Sequence, residues 1–433
     1  MSKREFCTVE EILVRERLKA AVRRSHWCCK LCDTLGKFKI QLVQFLHVNI
    51  SSTKSDKMNE VNSLNQEKGW AKRIAAECTD CGQCAESCRI LTELNESPGQ
   101  IARRGIEMDE AYGCALCGKC EAMCPLGLSP WRMFEQRRVE AVKQGEITIE
   151  EYQYLFPDRA VTVMSMFREY YGIDYSELNT SLPAQTGFLP GCTMLTYSPE
   201  LTKKVYATLA EKYESVLFLD HCCGIPMYHI GLPERGDKIK GELREKARHL
   251  GVKRLITACP NCYYQFKKEA AFQDVEIITV YEALADEFIA NQDAEVYAIH
   301  DSCPDRFEGI FGRQVREALD RGNYRRAEMK HHGQNSVCCG SSGQLGHFRP
   351  EWAAEHEVQN LEEAGKAGAG ILLAYCHACV LNFGNIADSN IKIRHVLNTL
   401  LGFEESYDEV KGKAAAMFEG EEGYERYLKL FQD

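Results

Sequence analysis

Eight of the 22 cysteines in this 433-residue chain fall into two runs of one spacing. CTDCGQCAESC supplies Cys78, Cys81, Cys84 and Cys88, and CALCGKCEAMCP supplies Cys114, Cys117, Cys120 and Cys124, each position displaced by 36 residues. Two-residue gaps let successive thiolates converge on neighbouring metal ions without long-range folding. Zinc is one reading of close cysteines, but four at this spacing, occurring twice, fit zinc poorly and suit an iron–sulfur cubane. In such runs three close thiolates hold one cluster and the fourth crosses to the other. That rule assigns Cys78, Cys81, Cys84 and Cys124 to one 4Fe–4S cubane, and Cys114, Cys117, Cys120 and Cys88 to a second. Arg89 follows the fourth cysteine of the first run, where Pro125 follows that of the second.

Ten further cysteines form a longer repeat. Cys192, Cys222, Cys223, Cys259 and Cys262 return as Cys303, Cys338, Cys339, Cys376 and Cys379, displaced by 111 to 117 residues. Adjacent cysteines serve one tetrahedral zinc badly, and five thiolates exceed what a cubane needs. Free thiols beside a strained vicinal disulfide do not explain the same five positions twice. A larger or split iron–sulfur assembly in each unit fits better.

The rest of the chain must present these thiols reduced. The N-terminus is charged and lacks the apolar core of a secretory signal, which places the cysteines where thiols stay reduced. No stretch reaches the roughly 18 apolar residues of a spanning helix. The best, residues 37–50, is interrupted by Lys39, Gln41, Gln44 and His47. A soluble, cytoplasmic protein is expected, with any membrane association made through a partner subunit. Hydrophobic and charged fractions of 45% and 27% are those of a globular chain, and with a net charge of −10 no nucleic-acid partner is expected.

The elements around the cysteines predict an α+β protein, a helical two-cluster module followed by two repeated α/β cysteine-rich domains. GFLPGC, VLFLDHCC and RLITACPNC each run from an apolar strand into cysteine, as do VYAIHDSC and GILLAYCHAC in the second unit. Helical patterns at 200–213 and 238–251 lie between them. Alternating strands and helices favour a mostly parallel sheet, with ligands at the carboxyl ends of strands. The expected order is an extension over 1–68, a two-cluster module over 69–130, a helical connector over 131–185, cysteine-rich domains over 186–292 and 293–403, and a helical tail over 404–433. The extension carries 13 Lys/Arg against 8 Asp/Glu, a basic amphipathic pattern at 9–25 and a polar linker at 49–68.

The long units resemble the cysteine-rich CCG domains of heterodisulfide reductase. Their fusion behind a two-cluster ferredoxin module resembles the D-type subunit of that enzyme, or its C-type and B-type subunits joined. The resemblance rests on LPGC, HCCGIP, CPNC, HDSC, CCGSSG and CHAC and covers roughly residues 70–400. It implies a noncubane 4Fe–4S cluster on Cys192, Cys222, Cys223, Cys259 and Cys262, and another on Cys303, Cys338, Cys339, Cys376 and Cys379. In that family such clusters cleave a disulfide in two one-electron steps, so these ten cysteines are the implied catalytic set. Pro304 follows Cys303 where many CCG domains carry histidine. The substrate stays open between a coenzyme M–coenzyme B heterodisulfide, a persulfide or trisulfide, and another disulfide.

His221, His300 and His377 flank cluster cysteines, where each could hydrogen-bond a sulfur or deliver a proton, or simply pack. His331 and His332 read as structural. Cys7, Cys28, Cys29 and Cys32 could form a further metal site but lack a second close pair. No phosphate-binding glycine motif is present, so flavin, nicotinamide and ATP are not expected on this chain. A donor subunit is therefore needed, a flavoprotein or a membrane cytochrome. The competing reading is a non-catalytic relay, as in the iron–sulfur subunits of anaerobic glycerol-3-phosphate dehydrogenase or glycolate oxidase, feeding quinone.

Overall fold

The computed structural model describes residues 69–432 apart from 87, 179–181, 269–271, 273, 385–389 and 408. The basic pattern at 9–25, the linker at 49–68 and Cys7, Cys28, Cys29 and Cys32 lie outside the described residues.

Two four-stranded sheets carry the long repeat. The first comprises β1 (Thr186–Leu189), β2 (Val216–Phe218), β3 (Arg254–Thr257) and β4 (Glu276–Thr279); the second comprises β5 (Val296–His300), β6 (Arg325–Ala327), β7 (Ile371–Ala374) and β8 (Lys392–His395). Every pairing is parallel, and the orders β2-β1-β3-β4 and β6-β5-β7-β8 are the same topology twice. The inner strands are mostly apolar because they are buried on both faces. TGFL and ILLA have no exposed residue, the signature of a strand covered by helices on either side. In each sheet the chain leaves the first strand one way and returns on its other side. Such a reversal opens a crevice beyond the strand ends, where α/β folds place ligands.

The two sheets share one apolar core. Phe188, Phe218 and Ile256 of the first pack in one cluster with Tyr297, Ile299 and Ile371 of the second. The two-cluster module has its own smaller core, formed by Ile74, Ile90, Leu91, Ile101, Leu116, Met133 and Phe134. Its 36-residue repeat is visible in the backbone. Asp80 and Leu116, one residue before the second cysteine of each run, take φ of 55° and 50°. The left-handed turn that folds each loop back on itself is thus set twice, at a cost a side chain normally avoids.

Helices over Pro130–Gln144 and Val163–Tyr170 connect this module to the first sheet. The C-terminal helices Val410–Ala416 and Gly420–Lys429 return to that connector, where Met417 and Leu430 pack with Tyr154, Met166 and Phe167. Arg138 joins the parts. Its side chain is fully buried, and it donates to the carbonyls of Ala111 and Cys114 in the two-cluster module, His229 behind the first sheet and Gly343 in the second repeat. No helix among the described residues is long and apolar enough to cross a membrane.

Candidate metal centre

Two small hollows lie in the two-cluster module. Cys78, Cys81, Cys84 and Cys124 line one; Cys88, Cys114, Cys117 and Cys120 line the other. These are the two groups that the crossing rule assembles from the sequence. Burial pushes the Cys84 thiol up to about 11 and the Cys114 thiol up to about 12, and raises Cys88 and Cys120 further. With nothing to balance their charge, these sulfurs would be neutral thiols at pH 7, and a bound cation reverses that preference. Four thiols converging twice in sulfur-lined hollows therefore fit a metal–sulfur group better than they fit ordinary packing.

The ten cysteines of the long repeat sit past the ends of β1, β2 and β3, and again past β5, β6 and β7. Cys192 opens the helix Cys192–Tyr197. Cys259 and Cys376 stand at the N-caps of Pro260–Lys267 and His377–Phe383. A helix N-terminus presents free N–H groups to a thiolate and favours its charge. The vicinal pairs use one local device. Gly224 N–H donates to Cys222 Sγ at 3.4 Å and Gly340 N–H to Cys338 Sγ at 3.3 Å. Both glycines have positive φ, and a Cβ there would meet Gly236 O at 2.6 Å or Ala353 O at 2.8 Å. The glycine of each CCG is thus fixed twice over, by its backbone angle and by the helix pressed against it.

Nine of the ten line a single cavity of about 430 Å³: Cys192, Cys222, Cys223, Cys259 and Cys262 from the first repeat, and Cys303, Cys339, Cys376 and Cys379 from the second. Their thiols form a nearly continuous series. Cys192 reaches Cys222, then come Cys223, Cys262 and Cys259. Cys259 reaches Cys376, and Cys379, Cys339 and Cys338 follow. Cys259 and Cys376 are the same position of the two repeats, so the repeats meet through equivalent cysteines. Cys338 stands apart. It lines the hollow of Cys88, Cys114, Cys117 and Cys120, and its thiol reaches Cys117 as well as Cys303 and Cys339. The second repeat therefore touches the two-cluster module through sulfur.

The histidines divide. His300 is fully buried; its Nδ1 lies 3.0 Å from Asn360 Oδ1, and a ring nitrogen lies within 4.8 Å of the Cys339 and Cys379 sulfurs. Asn360 donates through Nδ2 to the carbonyls of Cys338 and His356, so its oxygen accepts from His300 and fixes the imidazole tautomer. His377 lines the cavity 5.0 Å from His395, and burial holds both rings neutral, His395 at about 3. His221 also lines the cavity, half-buried, with Nδ1 3.2 Å from Asp220 Oδ1. That contact draws the Asp220 carboxyl down to about 2. His331 pairs with buried Glu363 at 2.6 Å, a structural arrangement.

Sequence reasoning missed the side chains that the second hollow recruits from elsewhere, namely Arg138, Arg306 and His356. Arg306 is buried and donates to Cys117 O at 3.1 Å from 189 residues away, and His356 Nδ1 lies 3.0 Å from Cys338 O. Lys119 alone carried a local signal, as the residue between two cysteines of CGKC.

The profile of the 4Fe-4S dicluster domain matches residues 74–128, and that of the cysteine-rich CCG domain matches 186–267 and 297–384. A dicluster domain followed by two CCG domains defines an iron–sulfur, electron-transfer class of protein. Within that class, the chain is similar to the heterodisulfide reductase iron–sulfur subunits of the D type. It is 23% identical over 389 residues to the D-type subunit of dihydromethanophenazine:CoB–CoM heterodisulfide reductase from Methanosarcina mazei, covering 75% of this chain and 91% of that one. It is 24% identical over 360 residues to the B-type subunit of fumarate reductase (CoM/CoB) from Methanothermobacter marburgensis, covering 75% and 71%. A third relative, the C-type subunit of ferredoxin:CoB-CoM heterodisulfide reductase from Methanosarcina acetivorans, is 30% identical over 84 residues, covering 18% and 34%.

Proposed function

We propose that this chain is the iron–sulfur subunit of an oxidoreductase complex. It takes electrons from a donor subunit at the dicluster module and reduces a disulfide in the cavity between its CCG halves, or oxidises a dithiol in reverse. The observation that carries this reading is the single cavity of about 430 Å³, which receives thiols from both halves and is joined to the dicluster module through Cys338 and Cys117. A relay needs only a path, whereas here thiols of two five-cysteine sets face one shared cavity.

In this reading Cys78, Cys81, Cys84 and Cys124 hold one cubane and Cys88, Cys114, Cys117 and Cys120 the other. The two five-cysteine sets hold noncubane 4Fe–4S clusters. When bound, such clusters supply one-electron storage next to sulfur that can bond a substrate sulfur. The chain's own residues place that chemistry. The glycines of the CCG turns and the helix N-termini aim the cysteines, and Asn360 orients His300. Reduction of a disulfide takes two electrons and two protons and releases two thiols. His221, at the cavity beside Asp220, is the side chain assigned to bring a proton to a departing thiolate. The electron-donating partner is a flavoprotein or a membrane cytochrome. The name of the Methanothermobacter relative couples two thiol coenzymes to fumarate, which favours keeping the dithiol-oxidising direction in view.

Iron and acid-labile sulfide content of the anaerobically purified chain tests the cofactor part. Four clusters of four irons predict about 16 iron atoms per chain. A value near 8, with cubane spectra alone, leaves the CCG halves empty and contradicts the catalytic reading.

A further inference from the structure

Three buried cations surround the second dicluster hollow, and none of the hydrogen bonds described for them ends on a carboxylate. Arg138 is fully buried, and its hydrogen bonds end on four main-chain carbonyls, one of them Cys114 O. Arg306, 2% exposed, donates to Cys117 O and Gln334 O, and its Nη2 has no partner. Lys119 is 3% exposed, lines the hollow itself, and its Nζ is buried without a hydrogen-bond partner among the described residues. Burying one such charge without a counter-charge is costly, and natural interiors almost always pair them. Glu135 lies near Arg138 and Glu86 near Lys119 without hydrogen-bonding either, and an anion inside the hollow would complete the balance.

The first hollow differs in each respect. Cys81 is exposed. The charged neighbour there is Asp80, whose Oδ1 lies 3.8 Å from Cys78 Sγ, and Arg103 already pairs with it at 2.6 Å on the surface. That site meets a neutral ion pair and water.

We infer that Lys119, Arg138 and Arg306 are the counter-charge of the cluster held by Cys88, Cys114, Cys117 and Cys120, and hold its reduction potential above that of the cluster held by Cys78, Cys81, Cys84 and Cys124. This rests on the proposed reading that both hollows hold cubanes. Reduction adds one negative charge to a group that is already an anion. Burial alone opposes that charge; three fixed cations in a poorly screened interior act against that penalty. The gradient then points inward, from the exposed cluster to the one whose hollow also contains Cys338. Electrons entering at the surface settle next to the CCG halves instead of leaking back.

The test is an EPR-monitored redox titration of the full, anaerobically loaded chain. Lys119→Met is the sharpest variant, because its ammonium makes no hydrogen bond to lose. At a fixed poise near the midpoint, the reduced-to-oxidised ratio of the second cluster should fall about tenfold, equivalent to 59 mV for a one-electron couple. The first cluster should not move. Arg306→Met should shift the same cluster in the same direction, while Lys119→Arg, which keeps the charge, should leave it in place. If Lys119→Met does not load the second cluster, loading of Lys119→Arg supports the counter-charge role, and failure of both overturns it. Unchanged potentials in loaded Lys119→Met and Arg306→Met also overturn it. A wild-type chain without two cubane signals would defeat the cofactor reading instead, so the two failures are distinguishable.

Discussion

Cys339→Ser should abolish disulfide reduction with every electron donor, while Cys117→Ser should abolish it only with the physiological one. Cys339 lies on the shared cavity, its sulfur among Cys338, Cys379 and His300. In the proposed reading the adjacent pair would present two sulfurs to iron from one backbone turn, and serine would be a harder, poorer ligand. The cubane signals should remain. Cys117 sits in the dicluster hollow, in reach of Cys338, at the junction between entry and chemistry. Its loss should cut the supply of electrons, while a small reduced dye that enters the cavity should still support turnover. The comparison also separates the two candidate roles of the CCG halves. If Cys339→Ser and its repeat counterpart Cys223→Ser both kept disulfide reduction, and only transfer to an acceptor were lost, the CCG halves would be wires.

Arg138→Met should destabilise the whole chain rather than one module. Four buried carbonyls lose their donor, at about 1–3 kcal/mol for each acceptor left unsatisfied. Removing a buried guanidinium recovers part of that, because its desolvation penalty disappears with it. We expect roughly 4 kcal/mol of net loss, seen as a melting midpoint lowered by on the order of 5–10 °C under anaerobic conditions. Arg138→Lys should rescue little, since one ammonium cannot span the fork that reaches carbonyls of three separate segments. Loss of cluster signal from the dicluster module should accompany the melting shift, because Ala111 and Cys114 carry two of the four carbonyls. An unchanged melt would mean that the three parts are held together by their apolar contacts alone.

The cysteines, the strands that lead into them and the duplication were legible because each is a local or periodic signal. Short runs such as RLIT and ILLA read as covered strands, and a cysteine just beyond marks the end of each. Strand β6 was not legible. Arg325–Ala327 is a three-residue polar edge, and its place in the sheet comes from pairing with β5 rather than from its own pattern. The long-range environment of the second hollow was hidden for a similar reason. Arg138 occupies the charged helical segment MFEQRRVEAV, where nothing local marks it for burial, and its contact with Gly343 spans 205 positions. The approach of Cys338 to Cys117 likewise depends on how the second repeat docks on the dicluster module, which no spacing records.

The most direct measurement is a single turnover. The chain is loaded and reduced without oxygen, freed of reductant and mixed rapidly with a disulfide in the absence of any other subunit. Thiols are trapped as the EPR and visible signals are followed. The account predicts two thiols for every two electrons the chain gives up, with signals of the CCG halves changing before or with thiol release. A chain that keeps its electrons in the presence of disulfide, yet gives them at once to a quinone, would contradict the account and mark this protein as a relay.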